Sequence, residues 1–477
     1  MPRRRAVVIG SGPNGLAAAI TLAEAGLEVE VHEAAGAIGG GARTQELTLP
    51  GYLHDVCSAV HPLARSSPFF RRLELDIEWI ESPAAVAHPL EGGESVFLER
   101  SIEATAAGLG PDGAAYRRLV GPLVDAWKEV EPVGVGPYPP SPGALVALGR
   151  ALGPATLAAS LRATFAAARP LAESLFGGEA ARAFLAGHAA HAVLPLERRP
   201  SGGFGLALCL LGHVAGWPIP RGGAQRIADA LAGRLRELGG EIRTSSPVDD
   251  LPLAELVLAD VVPRELVRIA GDRLPARYRH ALLRYRHAPG AFKVDWALSA
   301  PIPWRDPSVL RAATVHVGAS LSEIAASERA PWEGRVSEKP FVLLSQPTLF
   351  DGTRAPEGRH TAWAYCHVPN GFTGDVAASV EAQIERYAPG FREVVLARSV
   401  MRPAELERHN RNLVGGDVNG GAMDLPQLLC RPVRRLVPYR TPVPGLFLCS
   451  AATPPGGGVH GMCGFAAALA ALGGFRQ

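Results

Sequence analysis

Lysine is almost missing from this 477-residue chain: of its 48 basic residues, only Lys128, Lys293 and Lys339 are lysines. Each of the three is therefore a position to ask a specific role of. One-sided charge is missing as well. The 48 basic residues face 46 acidic ones, for a formal net charge of +2, which excludes the broad positive field that holds nucleic acid. The six cysteines, Cys57, Cys209, Cys366, Cys430, Cys449 and Cys463, form no C-x-x-C and no paired metal-ligand spacing. That pattern excludes a thiol-disulfide centre and a zinc site, and it fits a reducing compartment. No run of 18 or more uncharged apolar residues is present, and the most apolar stretch, Gly143 to Gly178, is interrupted by Arg150, Arg162, Arg169 and Glu173. No transmembrane helix is expected. Gly10 breaks the apolar run Ala6 to Ile9 before a signal-peptide h-region can form, so the expected location is cytoplasmic. Nothing resembles a nucleophile elbow, a P-loop or a pair of glycosidase carboxylates.

What is present is ordinary globular material, 47% apolar and 20% charged, enough for two to four domains at roughly 100 to 200 residues each. Arg5 to Ile9 reads as a buried strand. Gly10-Ser11-Gly12-Pro13-Asn14-Gly15 follows at once, then a helix with Leu16, Ala19, Ile20 and Ala23 at helical spacing. Gly26 stops that helix before a second strand, Leu27 to His32, which ends at Glu33. Strand, glycine turn, helix, strand and acid in this order make a dinucleotide-binding unit. Gly10 permits the tight turn, Gly12 lets the backbone approach a pyrophosphate, and Gly15 lets helix and strand pack closely. The helix N-terminus offers free N–H groups to the anion. Glu33 can accept both ribose hydroxyls, where a 2′-phosphate would be repelled, so the adenosine half is read as that of FAD or NAD.

Six residues beyond Glu33 stands a second glycine loop, Gly39-Gly40-Gly41-Ala42-Arg43-Thr44, placed to lie along the same pyrophosphate. Near the other end a strand from Gly445 to Ser450 leads into Pro454-Pro455-Gly456-Gly457-Gly458 and a helix from about Val459 to Leu472. With these three motifs the chain resembles the FAD-dependent phytoene desaturase and flavin amine oxidase superfamily. Gly41, where an Arg is usual in amine oxidases, leans toward the desaturase branch. The resemblance implies an α/β fold: a Rossmann-type FAD-binding domain, glutathione reductase-like, with a discontinuous α+β substrate domain. It implies FAD as cofactor, a residue near Val248 touching the adenine, Ser450 where the family usually has an Asp, Gly458 in the last loop, and the amides of Gly461 and Met462 near flavin N1. Arg43 is the candidate to restore the charge that Gly41 lacks. No second strand-linked G-x-G-x-x-G is visible, so bound NAD(P)H is not expected.

Between these motifs, residues 66 to about 216 read as a cap of Ala/Leu-rich helices, and Trp217 to Gly223 opens a return to a βα-type domain. The expected division is 1–65, 217–292 and 405–477 for the FAD-binding domain, and 66–216 with 293–404 for the substrate domain. Lys293, before Pro303-Trp304, resembles the amine oxidase lysine that holds a water against flavin N5; the alternative is a strand-end lysine reaching solvent. His460 lies in the last glycine loop, either facing substrate or packing the loop. His61 is placed to approach the ring. His188 and His191, three apart, read as a core or surface pair rather than metal ligands.

The leading expectation is an FAD-dependent dehydrogenase or desaturase that oxidises a CH–CH unit of an apolar or conjugated small molecule, with oxygen or a quinone as electron acceptor. A flavin amine oxidase is the alternative, although with 6% aromatic residues no aromatic cage can be located. A third reading gives the flavin a structural role or a part in isomerisation. Peripheral contact with a membrane through the cap accompanies the first.

Overall fold

The computed structural model describes residues 4–473, so the outer limits of the two terminal segments, and the residues before Arg4, lie outside the described residues. Its centre is a five-stranded parallel sheet in which Leu446–Leu448, Leu256–Ala259, Arg5–Ile9, Glu28–His32 and Glu241–Arg243 lie side by side in that order. Strands buried on both faces read as continuous apolar runs, as Ala6-Val7-Val8-Ile9 and Leu256-Val257-Leu258-Ala259 do. Three helices, Pro13–Glu24, Gln225–Glu237 and Met462–Ala471, share one core with this sheet. Pro13–Glu24 begins with Pro at its first position, which suits a missing N–H there, and it packs closely on the last helix, Met462–Ala471. Small residues allow the approach: a Cβ on Gly464 would stand 1.7 Å from the Asn14 carbonyl oxygen.

A seven-stranded mixed sheet forms the second body, in the order Val395–Met401, Gly290–Leu298, His360–Val368, Val342–Ser345, Ala312–Val317, Ala84–Pro89 and Ser95–Leu98. Its last two strands correct the expectation of a purely helical cap from residue 66. Ala84–Pro89 is rich in alanine and lacks alternation because both its faces are buried, between a parallel partner at Ala312–Val317 and an antiparallel one at Ser95–Leu98. Apart from the short strand Trp79–Ile80, which pairs with Ile219–Pro220, the rest of the cap's regular structure is helical and folds around Tyr116, Phe184 and Leu206.

One helix departs from this packing. Pro142–Thr164 is long and apolar enough, by length and composition, to cross a membrane, and it exposes Leu145, Val146 and Leu161 to solvent. At Gly153 the backbone leaves helical geometry (φ 69°, ψ 165°), so two shorter helices meet at a kink before Pro154.

Candidate functional site: a dinucleotide cradle open to the second sheet

The strand Arg5–Ile9 ends at Gly10, whose φ of +97° is open to glycine at little cost. The chain then crosses above the sheet and enters the helix at Pro13. Gly15 is required by contact: a Cβ there would lie 2.1 Å from the Gly10 carbonyl oxygen. The second glycine loop folds onto the first, with the Gly39 amide donating to the Ser11 carbonyl at 3.1 Å and the place of a Gly40 Cβ 3.1 Å from Gly12 Cα. Two glycine-rich backbones thus form the floor of a trough.

A cavity of about 660 Å³ runs through this trough. Gly10, Gly12, Pro13, Asn14, Glu33, Gly40, Gly41, Arg43, Val248, Ser450 and Gly458 line it. Asn14 Oδ1 is buried there without a hydrogen-bond partner. Glu33 is oriented by the Ser11 hydroxyl (2.6 Å), the Ser11 amide (3.0 Å) and the Ala35 amide (2.8 Å). A carboxylate has about four lone-pair positions, so capacity remains for ribose hydroxyls. Arg43 is held by the carbonyls of Ile38 and Ala37 and lies 3.5 Å from Glu33. Burial lowers its pKa, and Glu33 opposes that shift.

The other expected cofactor residues support the cradle rather than line it. Thr44 Oγ1 donates to Asp55 at 2.7 Å and accepts the Gln225 amide at 3.1 Å. Met462 N–H donates to His460 Nδ1 at 3.0 Å, so that amide is already engaged, and Gly461 caps the helix at φ +68°. His460 is buried within its own loop: Nε2–H donates to the Gly456 carbonyl at 3.1 Å. Burial holds its pKa down to about 4.

Toward the second sheet the cavity wall becomes aromatic and apolar. Trp363 and Tyr365, alternate residues of His360–Val368, point to one face and stack at 5.8 Å with 15° between ring planes. Leu343, Leu344, Leu208 and Trp217 line the same end. Sequence reading missed the pair, although Trp-x-Tyr at strand spacing in His360–Val368 was available as a signal. His61 lines the wall as well, and burial lowers its pKa to about 4. His188 and His191 part company: His188 Nδ1–H donates to the Phe184 carbonyl at 2.8 Å, whereas His191 lines the cavity with its Nε2 3.0 Å from His316 Nε2. Among the described residues no group of three or more His, Cys, Asp or Glu could hold a metal ion.

Lys293 stands on the same face of the sheet as these rings, paired across the strands with Tyr365 as Asp295 is with Trp363. Its ammonium forms a buried ion pair with Asp295 and lies 5.3 Å from the centroid of the Trp363 ring. Burial raises the Asp295 pKa to about 6 against the pull of Lys293.

A family model described as an NAD(P)-binding Rossmann-like domain matches residues 8–73. The mouse protein named pyridine nucleotide-disulfide oxidoreductase domain-containing protein 2 is 28% identical over 548 aligned residues, which cover 97% of this chain and 92% of that protein. The chain is a homologue of that protein. The phytoene desaturase (neurosporene-forming) of Rhodobacter capsulatus is 27% identical over 279 residues, covering 51% of each chain. Among solved structures, putrescine oxidase bound to putrescine matches with a TM-score of 0.63 at 17% identity, over 100% of this chain and 99% of that one. The fold is therefore the one shared by flavin amine oxidases, and the trough fits the dinucleotide that the fold carries. On fold and residues together, the trough fits a dinucleotide cofactor.

Proposed function

We propose that the chain is an FAD-dependent oxidoreductase that dehydrogenates a CH–CH unit of an apolar or conjugated small molecule. The observation that carries this reading is the continuity of the cavity, from the glycine trough to a wall of Trp363, Tyr365, Leu343, Leu208 and Trp217. FAD supplies the two-electron acceptor when bound. The protein's own residues hold the substrate: the stacked rings present a flat apolar face, and the surrounding leucines exclude water from the reacting carbons. His191 lines the cavity with Nε2 joined to His316, and because burial, with His188 and His367, lowers its pKa to about 3, it serves as a neutral hydrogen-bonding imidazole that orients the substrate.

A second reading, oxidation of an amine, is favoured by the same stacked pair, since aromatic faces attract cations. Lys293 belongs to this reading as a group near flavin N5, and its ion pair with Asp295 argues for a positioning role there. Purification without added cofactor, a visible spectrum, and anaerobic addition of a carotenoid and lipid pool or an amine pool separate the readings. Bleaching by the first pool alone supports dehydrogenation; bleaching by amines alone replaces it. Oxygen or a quinone is proposed as the electron acceptor.

A membrane surface is proposed as partner of Pro142–Thr164. From Val133 to Ala172 the only charged residues are Arg150, Arg162 and Arg169, so an apolar exposed helix carries cations and no acid, which complements anionic lipid.

A further inference from the structure

Sequence patterning extends the strand from Leu256 to Val262, yet the strand ends at Ala259 and Asp260 turns inward. Its Oδ2 accepts the Gly15 amide at 3.0 Å, and it would lie 2.8 Å from a Cβ on Gly12. The side chain is 8% exposed and lines the cavity beside Gly10 and Gly12. A helix N-terminus beneath a glycine turn normally offers its amides to the cofactor's phosphates. Here one of those amides already faces a carboxyl group, and an ionised one would set like charges together in a dry site.

No cation relieves that conflict: among the described residues Asp260 forms no ion pair. The titratable groups that face it are Glu33 at the end of Glu28–His32, Cys449 after Leu446–Leu448, and Cys463 on the last helix. Glu265 and Arg268 of Pro263–Ala270, and Arg408, His409 and Arg411 beyond them, line the cavity around it. Burial raises the Asp260 pKa to about 7; the Gly15 amide opposes the rise and Glu33 adds to it.

We propose that Asp260 binds FAD as the neutral acid, donating its carboxyl proton to a pyrophosphate oxygen, so that cofactor binding takes up a proton. The inference rests on the FAD reading above. In the free protein the acid form is lost as pH rises through about 7, while the bound phosphates hold the proton on to higher pH. Between those limits the dissociation constant rises by up to about tenfold per pH unit.

The test titrates apoprotein with FAD from pH 6 to 9 by flavin fluorescence, for the wild type and Asp260→Asn, with circular dichroism at each pH. Affinity in the wild type is expected to weaken up to about tenfold per unit above pH 7 and to stay flat in the variant. Wild-type proton uptake, measured at pH 8 in weak buffer, is expected to approach one proton per FAD and does not depend on the variant folding. A pH-independent dissociation constant, no proton uptake, or unchanged pH dependence in a folded Asp260→Asn overturns the proposal. If FAD binds at no pH, the proposal falls together with the FAD reading; binding without proton linkage sinks the proposal alone.

Discussion

Lys293 and Asp295, two residues apart on Gly290–Leu298, turn to the same face of the strand and form a buried ion pair beside Tyr365 and Trp363 of the neighbouring strand. His54 Nδ1 lies 3.4 Å from the same carboxylate, and burial, followed by the charges of Lys293 and Arg354, lowers its pKa to about 3. The imidazole is therefore neutral, and Asp295 is left with one cation. Removing either partner strands a buried charge, so Lys293→Met or Asp295→Leu is expected to lower unfolding free energy by about 3 to 5 kcal/mol. The double variant should recover most of it, as urea denaturation would read. If the double variant is stable and its flavin still bleaches with substrate, the pair is structural. Recovered stability with lost bleaching assigns Lys293 to the chemistry.

Asp55 and Arg354 make a second buried pair, at 2.8 Å, that ties the first segment to the second sheet's loops. Burial opposes ionisation of Asp55, but Arg354, the Ala224 amide and Thr44 together hold its pKa below the usual carboxylate value of 3.8. A folded-state pKa below the unfolded one stabilises above the unfolded pKa and ceases to do so as pH falls through the folded one. Acid should therefore weaken this junction only below about pH 4. In Arg354→Met the lowering influence is gone and burial pushes Asp55 up. Its acid-unfolding midpoint, followed by circular dichroism, is expected to move upward by about one pH unit or more. An unchanged midpoint would show that the junction does not govern acid stability.

Features written within a short span of chain were legible in the sequence. The turn Gly10 to Gly15, the acid at Glu33 and the loop before Met462–Ala471 follow from local backbone demands that only certain residues meet. Features made by strand register or long loops were not. His191 and His316 are 125 positions apart, and Asp55 and Arg354 are 299 apart, so spacing carries no trace of either contact. Asp260 was hidden because Val261 and Val262 extend an apolar run beyond the point where pairing stops. The hairpin was hidden because Ala84–Pro89, buried on both faces, shows no alternation, and its edge partner Ser95–Leu98, though alternating, is only four residues long.

His460 separates a packing role from a catalytic one. Its two ring nitrogens are both engaged, Nδ1 accepting from Met462 and Nε2–H donating to Gly456. His460→Ala leaves a buried amide unpartnered at the start of the last helix, a loss of about 1 to 3 kcal/mol. Thermal unfolding should register that loss. Because the imidazole is neutral down to a pKa of about 4, turnover per bound flavin is expected to show no step from His460 between pH 6 and 9. A turnover loss above about tenfold with unchanged stability would instead place this ring against the substrate.

The exposed helix Pro142–Thr164 makes the last prediction. Leu145 and Val146 are each 51% exposed and Leu161 46%, on a helix whose charged residues are Arg150 and Arg162. The kink at Gly153 gives two short apolar segments, a geometry suited to lying in a lipid interface with the arginine heads in the headgroup layer. Cosedimentation with phosphatidylglycerol-containing vesicles is expected to exceed that with pure phosphatidylcholine, and to fall as salt screens the arginines. A Leu145→Ser, Val146→Ser, Leu161→Ser variant should lose the binding with its melting temperature unchanged, because these side chains pack on little of the protein. Equal binding by that variant would move the contact elsewhere. Vesicle-independent dimerisation that the same substitutions abolish would identify a second copy of the chain as the partner of this face.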